Sequence, residues 1–226
     1  ALYLPPISNG FVQVPHDPSI DFDQGEDFTV MTWVNAPSAG QFNALQVNTI
    51  LAKWSGGSAP YPYIIRIMNQ NTATPGLIIA AKYDVTNNPV VISTTALNDD
   101  TWHHIAFVSD AGTIRLYIDG IEEDAQPDTT VFTTSNTSDL FFGIRGNGTK
   151  PFTGYIDQSA IFNQALSAAD ILNIAMDGLG DGIGDACQYG CDADLNGDDV
   201  VDVTDLLLLI GNYGNTGAGD ISGDGT

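Results

Sequence analysis

The sequence predicts an all-β body of two packed sheets over residues 1–176, followed by a short acidic tail over 177–226. Three observations carry this. Short runs rich in Val, Ile, Thr, Phe, Tyr and Trp recur throughout the first part, turn-forming residues separate them, and the composition shifts abruptly to Asp, Gly and Asn after Met176. At 226 residues the chain can bury one sizeable core, and a single sandwich uses most of that length.

The strand signals run in order through Gly10–Pro15, Phe28–Val34, Thr49–Trp54, Tyr63–Met68, Leu77–Tyr83, Val90–Thr94, Trp102–Ser109, Thr113–Asp119, Leu140–Arg145 and Gly154–Phe162. Ser55-Gly56-Gly57, Asn87-Asn88-Pro89, Asp110-Ala111-Gly112, Asp119-Gly120 and Gly146-Asn147-Gly148 supply turns, since Gly and Asn tolerate the backbone angles that tight turns require. In Thr113–Gly120, Ile114, Leu116 and Ile118 alternate with Arg115, Tyr117 and Asp119, so one face enters the core and the other is solvated. Glu122 and Glu123 read as part of a turn. Leu166–Met176 changes period: Ser167 can cap a helix with Ile171, Leu172, Ile174 and Ala175 facing inward, closing the sandwich against one edge.

The formal net charge is −22, from 28 acidic residues against the basic Lys53, Arg66, Lys82, Arg115, Arg145 and Lys150. Such a surface repels phosphate backbones and anionic lipid heads, which argues against nucleic acid and membrane partners. No apolar run approaches the roughly 18 residues of a membrane span, so a soluble protein is expected. Ala1 reads as a processed or expression-defined start. Cys187 and Cys191, close together among hard-oxygen residues, suggest a small loop disulfide and an oxidising, secreted setting.

Taken in order, Glu26–Val34, Ile50–Lys53, Asp100–Val108, Thr113–Gly120, Phe142-Gly143, Phe152–Asp157 and Ala165–Ser167 form a progression that resembles the laminin G-like, concanavalin A-like lectin/glucanase domains. The resemblance covers about residues 10–176 and implies a jelly-roll sandwich. It assigns Trp102-His103-His104 to structure, not chemistry. No G-x-S-x-G elbow, H-E-x-x-H or close glutamate pair of the glycosidase type occurs, and Glu is confined to Glu26, Glu122 and Glu123. A non-catalytic protein is therefore expected. In relatives, the position of Asp157 helps hold a structural calcium, although Ser8-Asn9-Gly10 stands where those relatives carry a second acidic residue. The resemblance further implies a glycan ligand. Trp54 and Tyr61, in the loop Lys53–Tyr63, are the candidate stacking platform, with packing of that loop onto the sandwich as the other reading.

In the tail, Asp194, Asn196, Asp198, Asp202 and Asp205 occupy positions 1, 3, 5, 9 and 12 of a twelve-residue loop, and Val200 offers its backbone carbonyl at position 7. This is the oxygen spacing of an EF-hand calcium loop. An apolar face of Leu206, Leu209, Ile210 and Tyr213 follows, so that 194–213 resembles a dockerin repeat. Asp199 replaces the usual Gly at position 6. Asp220, Ser222 and Asp224 restart the pattern over 220–226, and Asp177, Asp181 and Asp185 within 177–191 resemble a thrombospondin type 3 repeat. Ca2+ is the expected cofactor.

The reading that follows is a secreted calcium-binding recognition or adhesion module, carbohydrate-binding, on a bacterial cell surface. Its tail would dock to a cohesin-like partner or to a second copy. A self-assembling fibre or coat protein, with a homo-oligomer joined through calcium, and the non-catalytic part of a larger glycoside hydrolase are the alternatives.

Overall fold

In the computed structural model of the chain, the residues described are 1–5, 10–38, 47–69 and 72–177. Ala1–Gly180 form one compact unit and Asp181–Thr226 a second, so every described residue lies in the first. The expected metal-loop residues from Asp181 onward and the Cys187/Cys191 pair fall outside the described residues.

The unit holds twelve strands: β1 (Leu2–Leu4), β2 (Val12–Val14), β3 (Phe28–Asn35), β4 (Val47–Ala52), β5 (Tyr61–Met68), β6 (Leu77–Tyr83), β7 (Val90–Ala96), β8 (Trp102–Asp110), β9 (Thr113–Ile118), β10 (Ile121–Pro127), β11 (Leu140–Phe142) and β12 (Gly154–Phe162). The described residues also hold a short 3-10 turn at Pro18–Ile20 and one α-helix, α1 (Ala168–Asp177). The strands form two six-stranded sheets, ordered β1-β12-β3-β8-β9-β10 and β2-β11-β4-β5-β6-β7, and every named strand pairing is antiparallel. Among the described residues no helix is long and apolar enough to cross a membrane.

Alternation along each strand builds the core. Phe28, Val30 and Val34 of β3, Ile105 and Phe107 of β8, and Ile114, Leu116 and Ile118 of β9 meet Leu51, Tyr63, Ile65, Ile67, Ile78, Ala80 and Val91 of the facing sheet. Phe28 lies at the centre, stacked on Phe22 at 4.8 Å and set edge-on to Phe107 at 5.7 Å. Each such side chain taken from water contributes roughly 1.5–3 kcal/mol. Two lysines are fully buried within this framework. Lys82 Nζ donates to Asp128 Oδ2 at 2.6 Å, and Lys53 Nζ donates to the carbonyls of Ser138 at 2.8 Å and Asn136 at 3.2 Å.

Several expectations are corrected. Glu122 and Glu123 stand on the edge strand β10, where Glu123 Oε2 accepts the amides of Thr94 (2.6 Å) and Thr95 (2.9 Å) and Asp124 Oδ2 accepts that of Ile92 (2.9 Å). The edge of one sheet thus supplies acceptors to the edge of the other. An acidic doublet between turn signals resembles a turn, and this cross-sheet use becomes visible only in three dimensions. Strand β1 is likewise a pairing with β12 that its short run does not announce.

Helix α1 begins as expected. Ser167 Oγ accepts the Asp170 amide, and the Asp170 carboxylate accepts from the amide and hydroxyl of Ser167. The helix does not close an edge, however: Ile171 packs with Met31, Ala106, Val108 and Tyr117 on the outer face of the first sheet. Leu172 is 40% exposed because it lies a third of a turn from Ile171.

Candidate functional site

Helix α1 covers only part of the outer face of the first sheet. Beyond it, strand register assembles a row that no single segment encodes. Tyr3 on β1 lies opposite Tyr155 on β12, Tyr155 opposite Asn35 on β3, and Asn35 opposite Trp102 on β8. Directly paired residues share a face, so four adjacent strands present three aromatic rings and one amide in line. The Tyr3 and Tyr155 rings are 4.8 Å apart and those of Trp102 and Tyr155 6.1 Å apart. Tyr3 is 51% exposed and Tyr155 41%, fractions large for aromatic side chains beside a packed face.

A cleft of about 180 Å³ opens among Tyr3, Asn35, Pro37, Asp100, Gly154 and Tyr155. Asn35 Nδ2 donates to the Asp100 carbonyl at 2.9 Å, which fixes the amide in the cleft wall. Gly154 is required here: a Cβ on it would stand 2.4 Å from the Asn35 carbonyl oxygen and 2.9 Å from the Phe152 ring. Rings that offer flat apolar faces beside fixed polar groups suit a ligand that is apolar on one face and hydroxylated at its rim.

The neighbouring histidines are structural in their bonding. His103 Nδ1 lies 2.7 Å from Asp119 Oδ2, and its Nε2 is within 3.0 Å of Thr101 Oγ1 and 3.2 Å of both Asp99 oxygens. The Asp119 hydrogen bond, opposed by partial burial and aided by both carboxylate charges, raises the His103 pKa. Both ring nitrogens are engaged, so neither is free to act as a base. His104 is buried against Trp33 and Met31, and desolvation lowers its pKa to about 4.

Trp54 and Tyr61 are not an open platform. They are 8% and 4% exposed and pack with Ala52, Ile64 and Ala81 on the outer face of the second sheet. Tyr61 tilts against Trp54 at 4.9 Å and Tyr83 at 5.6 Å, and the Arg145 guanidinium lies 4.3 Å from the Trp54 ring centroid. The loop packs onto the sandwich because its Gly and Pro residues let it fold back over β5.

Asp157 Oδ2 stands 3.2 Å from the Ala1 amino group, and Oδ1 accepts the Gln158 amide at 3.0 Å. Among the described residues no three His, Cys, Asp or Glu side chains gather as a metal site. Asp177 is the last residue of α1.

Sequence reasoning passed over Tyr3, Asn35, Trp102 and Tyr155 as a group because they come from four separated segments. The available signal was an exposed-face position holding an aromatic in each of three strands.

The sequence pattern defining the Concanavalin A-like lectin/glucanases superfamily matches residues 8–172. Among solved structures, the binding domain of Paraclostridial Mosquitocidal Protein 1 is similar with a TM-score of 0.62 at 18% identity, covering 76% of this chain and 42% of that one. The botulinum neurotoxin serotype G binding domain gives 0.55 at 16%, covering 75% and 43%; the serotype D binding domain gives 0.54 at 20%, covering 74% and 39%. The chain thus spans less than half the length of these structures, and at such identities the likeness is one of fold. No curated protein matches the chain in sequence.

Proposed function

The chain belongs to the concanavalin A-like lectin/glucanase superfamily, and from that premise we propose that it is a secreted, non-catalytic recognition module that binds a glycan across the Tyr3–Tyr155–Asn35–Trp102 row. The observation that carries this reading is the register that lines up the exposed Tyr3 and Tyr155, the half-buried Trp102 and a fixed amide over four strands. The hydroxyl-free faces of sugar rings stack on such aromatics, while an amide and a carbonyl-lined cleft accept and donate to their rims. That the solved neighbours are described as binding domains is in keeping with recognition.

The bonding of the candidate acid and base groups supports a role without turnover. Glu26 accepts the Asp23 amide, Glu122 accepts from Arg115 and Tyr117, and Glu123 holds β7. Calcium enters the proposal through the tail: the ligand spacing of Asp194, Asn196, Asp198, Val200, Asp202 and Asp205 supports an ion-folded segment that docks the module to another protein or to a second copy.

The test is titration of the full chain with a panel of neutral oligosaccharides. Tyr155→Ala and Trp102→Ala are each expected to weaken binding of the ligand found by roughly tenfold, as loss of one stacking contact of about 1–1.5 kcal/mol implies. Unchanged affinity in both variants would place the ligand elsewhere. For the tail, calcium in place of chelator is expected to add a melting transition or raise one, and identical melts would remove the ion from the proposal.

A further inference from the structure

The six basic residues of this strongly anionic chain divide into two sets. Lys53 lies 3.7 Å from Asp21, Lys82 lies 2.6 Å from Asp128, and Arg115 contacts Glu122 and Asp110 at 3.1 and 3.8 Å. The other three, Arg66, Arg145 and Lys150, form no ion pair with any described residue. The segments of the sandwich outside the described residues, 6–9, 39–46 and 70–71, contain no Asp or Glu to serve them.

These three cations are gathered on one surface, the outer face of the second sheet. Arg66 stands on β5 directly opposite Thr49 of β4, and the Thr49 amide donates to the Lys150 carbonyl at 2.8 Å. Arg145 lies over Trp54. All three side chains are partly buried, and desolvation, reinforced by the charge of Arg66, lowers the pKa values of Arg145 and Lys150. The Nε atoms of Arg66 and Arg145 and the indole Nε1 of Trp54 are buried without a hydrogen-bond partner.

The loop bearing Arg145 and Lys150 is fixed before any ligand arrives. Gly146 N donates to the Trp54 carbonyl at 3.1 Å, Arg145 N to Thr149 O at 3.0 Å, and the Asn147 side chain accepts from Thr149. Gly146 has no room for a side chain, because a Cβ would meet the Trp54 carbonyl at 2.6 Å. Placing three like charges together, partly out of water and with no counter-ion among the described residues, is unfavourable unless an anion completes the set.

We infer that this face is a second binding site, distinct from the aromatic row, for an oxyanion carried by a saccharide, either a carboxylate of a sugar acid or a sulfate ester. Two planar guanidinium forks and an ammonium match the geometry and charge of such a group. The net charge of the chain opposes long polyanions, so an isolated charge on an otherwise uncharged ring system is favoured over nucleic acid. The inference rests on the glycan reading above only for the carrier of the anion.

Trp54 and Trp102 mark the two sites separately, so indole N–H signals of the full chain report them in one NMR titration. The probes are trigalacturonate with its methyl ester, and a sulfated lactose with unmodified lactose, all at matched ionic strength. The expected result is movement of the Trp54 indole signal by one or both acidic probes, with their neutral twins at least about tenfold weaker. Which acid acts separates carboxylate from sulfate. Lys150→Gln and Arg66→Gln are each expected to weaken this response severalfold and leave the Trp102 response unaltered, with unchanged melting temperature showing that the fold is kept. A Trp54 signal that neither acid moves, or that the neutral twins move equally, overturns the oxyanion site. Movement of Trp102 judges the aromatic row independently, whichever way Trp54 behaves.

Discussion

Asp119 shows how one side chain can serve both a turn and a neighbouring charge. It occupies the left-handed region at φ 50°, ahead of Gly120 at φ 80°, and its two oxygens take the His104 amide at 2.8 Å and His103 Nδ1 at 2.7 Å. Asn tolerates the same backbone angles, so Asp119→Asn isolates the charge from the turn. His103 has its pKa raised in the folded state, so its ion pair stabilises fully below the unfolded value near 6.5 and loses that contribution as pH rises through the higher folded value. The variant should therefore be destabilised by about 0.5–1 kcal/mol at pH 6, a figure kept small because Asp119 is 45% exposed. The deficit should shrink above pH 8, as chemical denaturation at the two pH values would show. His104 acts in the opposite sense for both proteins: held neutral with a pKa of about 4, it removes stability as pH falls from about 6.5 toward that value.

At the scale of elements, the open side of the sandwich is joined by side-chain acceptors. Edge strands expose unpaired amides, and here β10 meets those of β7 with Glu123 and Asp124. Despite the partial burial that opposes it, the bonds from Thr95 and Thr94 lower the Glu123 pKa, so this stabilisation is present at neutral pH and is lost as pH falls through the folded value. Glu123→Ala should cost about 1–2 kcal/mol and expose the Thr94 and Thr95 amides to faster hydrogen exchange, with the core amides of β3 and β8 slowed as before. Equal protection of Thr94 and Thr95 in the variant would show that the bonds carry no weight. The strands themselves were legible. Phe28–Val34, Leu77–Tyr83 and Trp102–Ser109 announce themselves through β-branched and aromatic runs between turns, and the order of family blocks anticipated the jelly roll. What escaped reading depends on register: β10 carries Glu122 and Glu123 because it pairs with β9, and Trp54 is buried because its loop folds back. On the outer face of β3, Met31 is buried because Ile171 of a distant helix packs with it, and Trp33 because His104 lies against it, facts that alternation within β3 cannot encode.

Over the whole sandwich the two outer faces differ in chemistry. One is partly roofed by α1 and ends in aromatic rings, while the other is floored by Trp54 and Tyr61 and carries three cations that form no ion pair among the described residues. Neither face could be composed by reading along the chain, because the row draws one residue from each of four strands and the cation face joins β5 to the loop between β11 and β12. The row Tyr3–Tyr155–Asn35–Trp102 also runs across the strands, and neighbouring strands are spaced by about 4.8 Å. The row therefore has a fixed reach of three strand spacings, about 14 Å. A bound chain of sugars would lie like a rung across a ladder, with successive rings meeting successive strands. On the proposed glycan reading such a surface would count: a ligand would gain from each added ring until Trp102 is covered, and further rings would pass toward the β9–β10 hairpin, where the aromatic row does not continue.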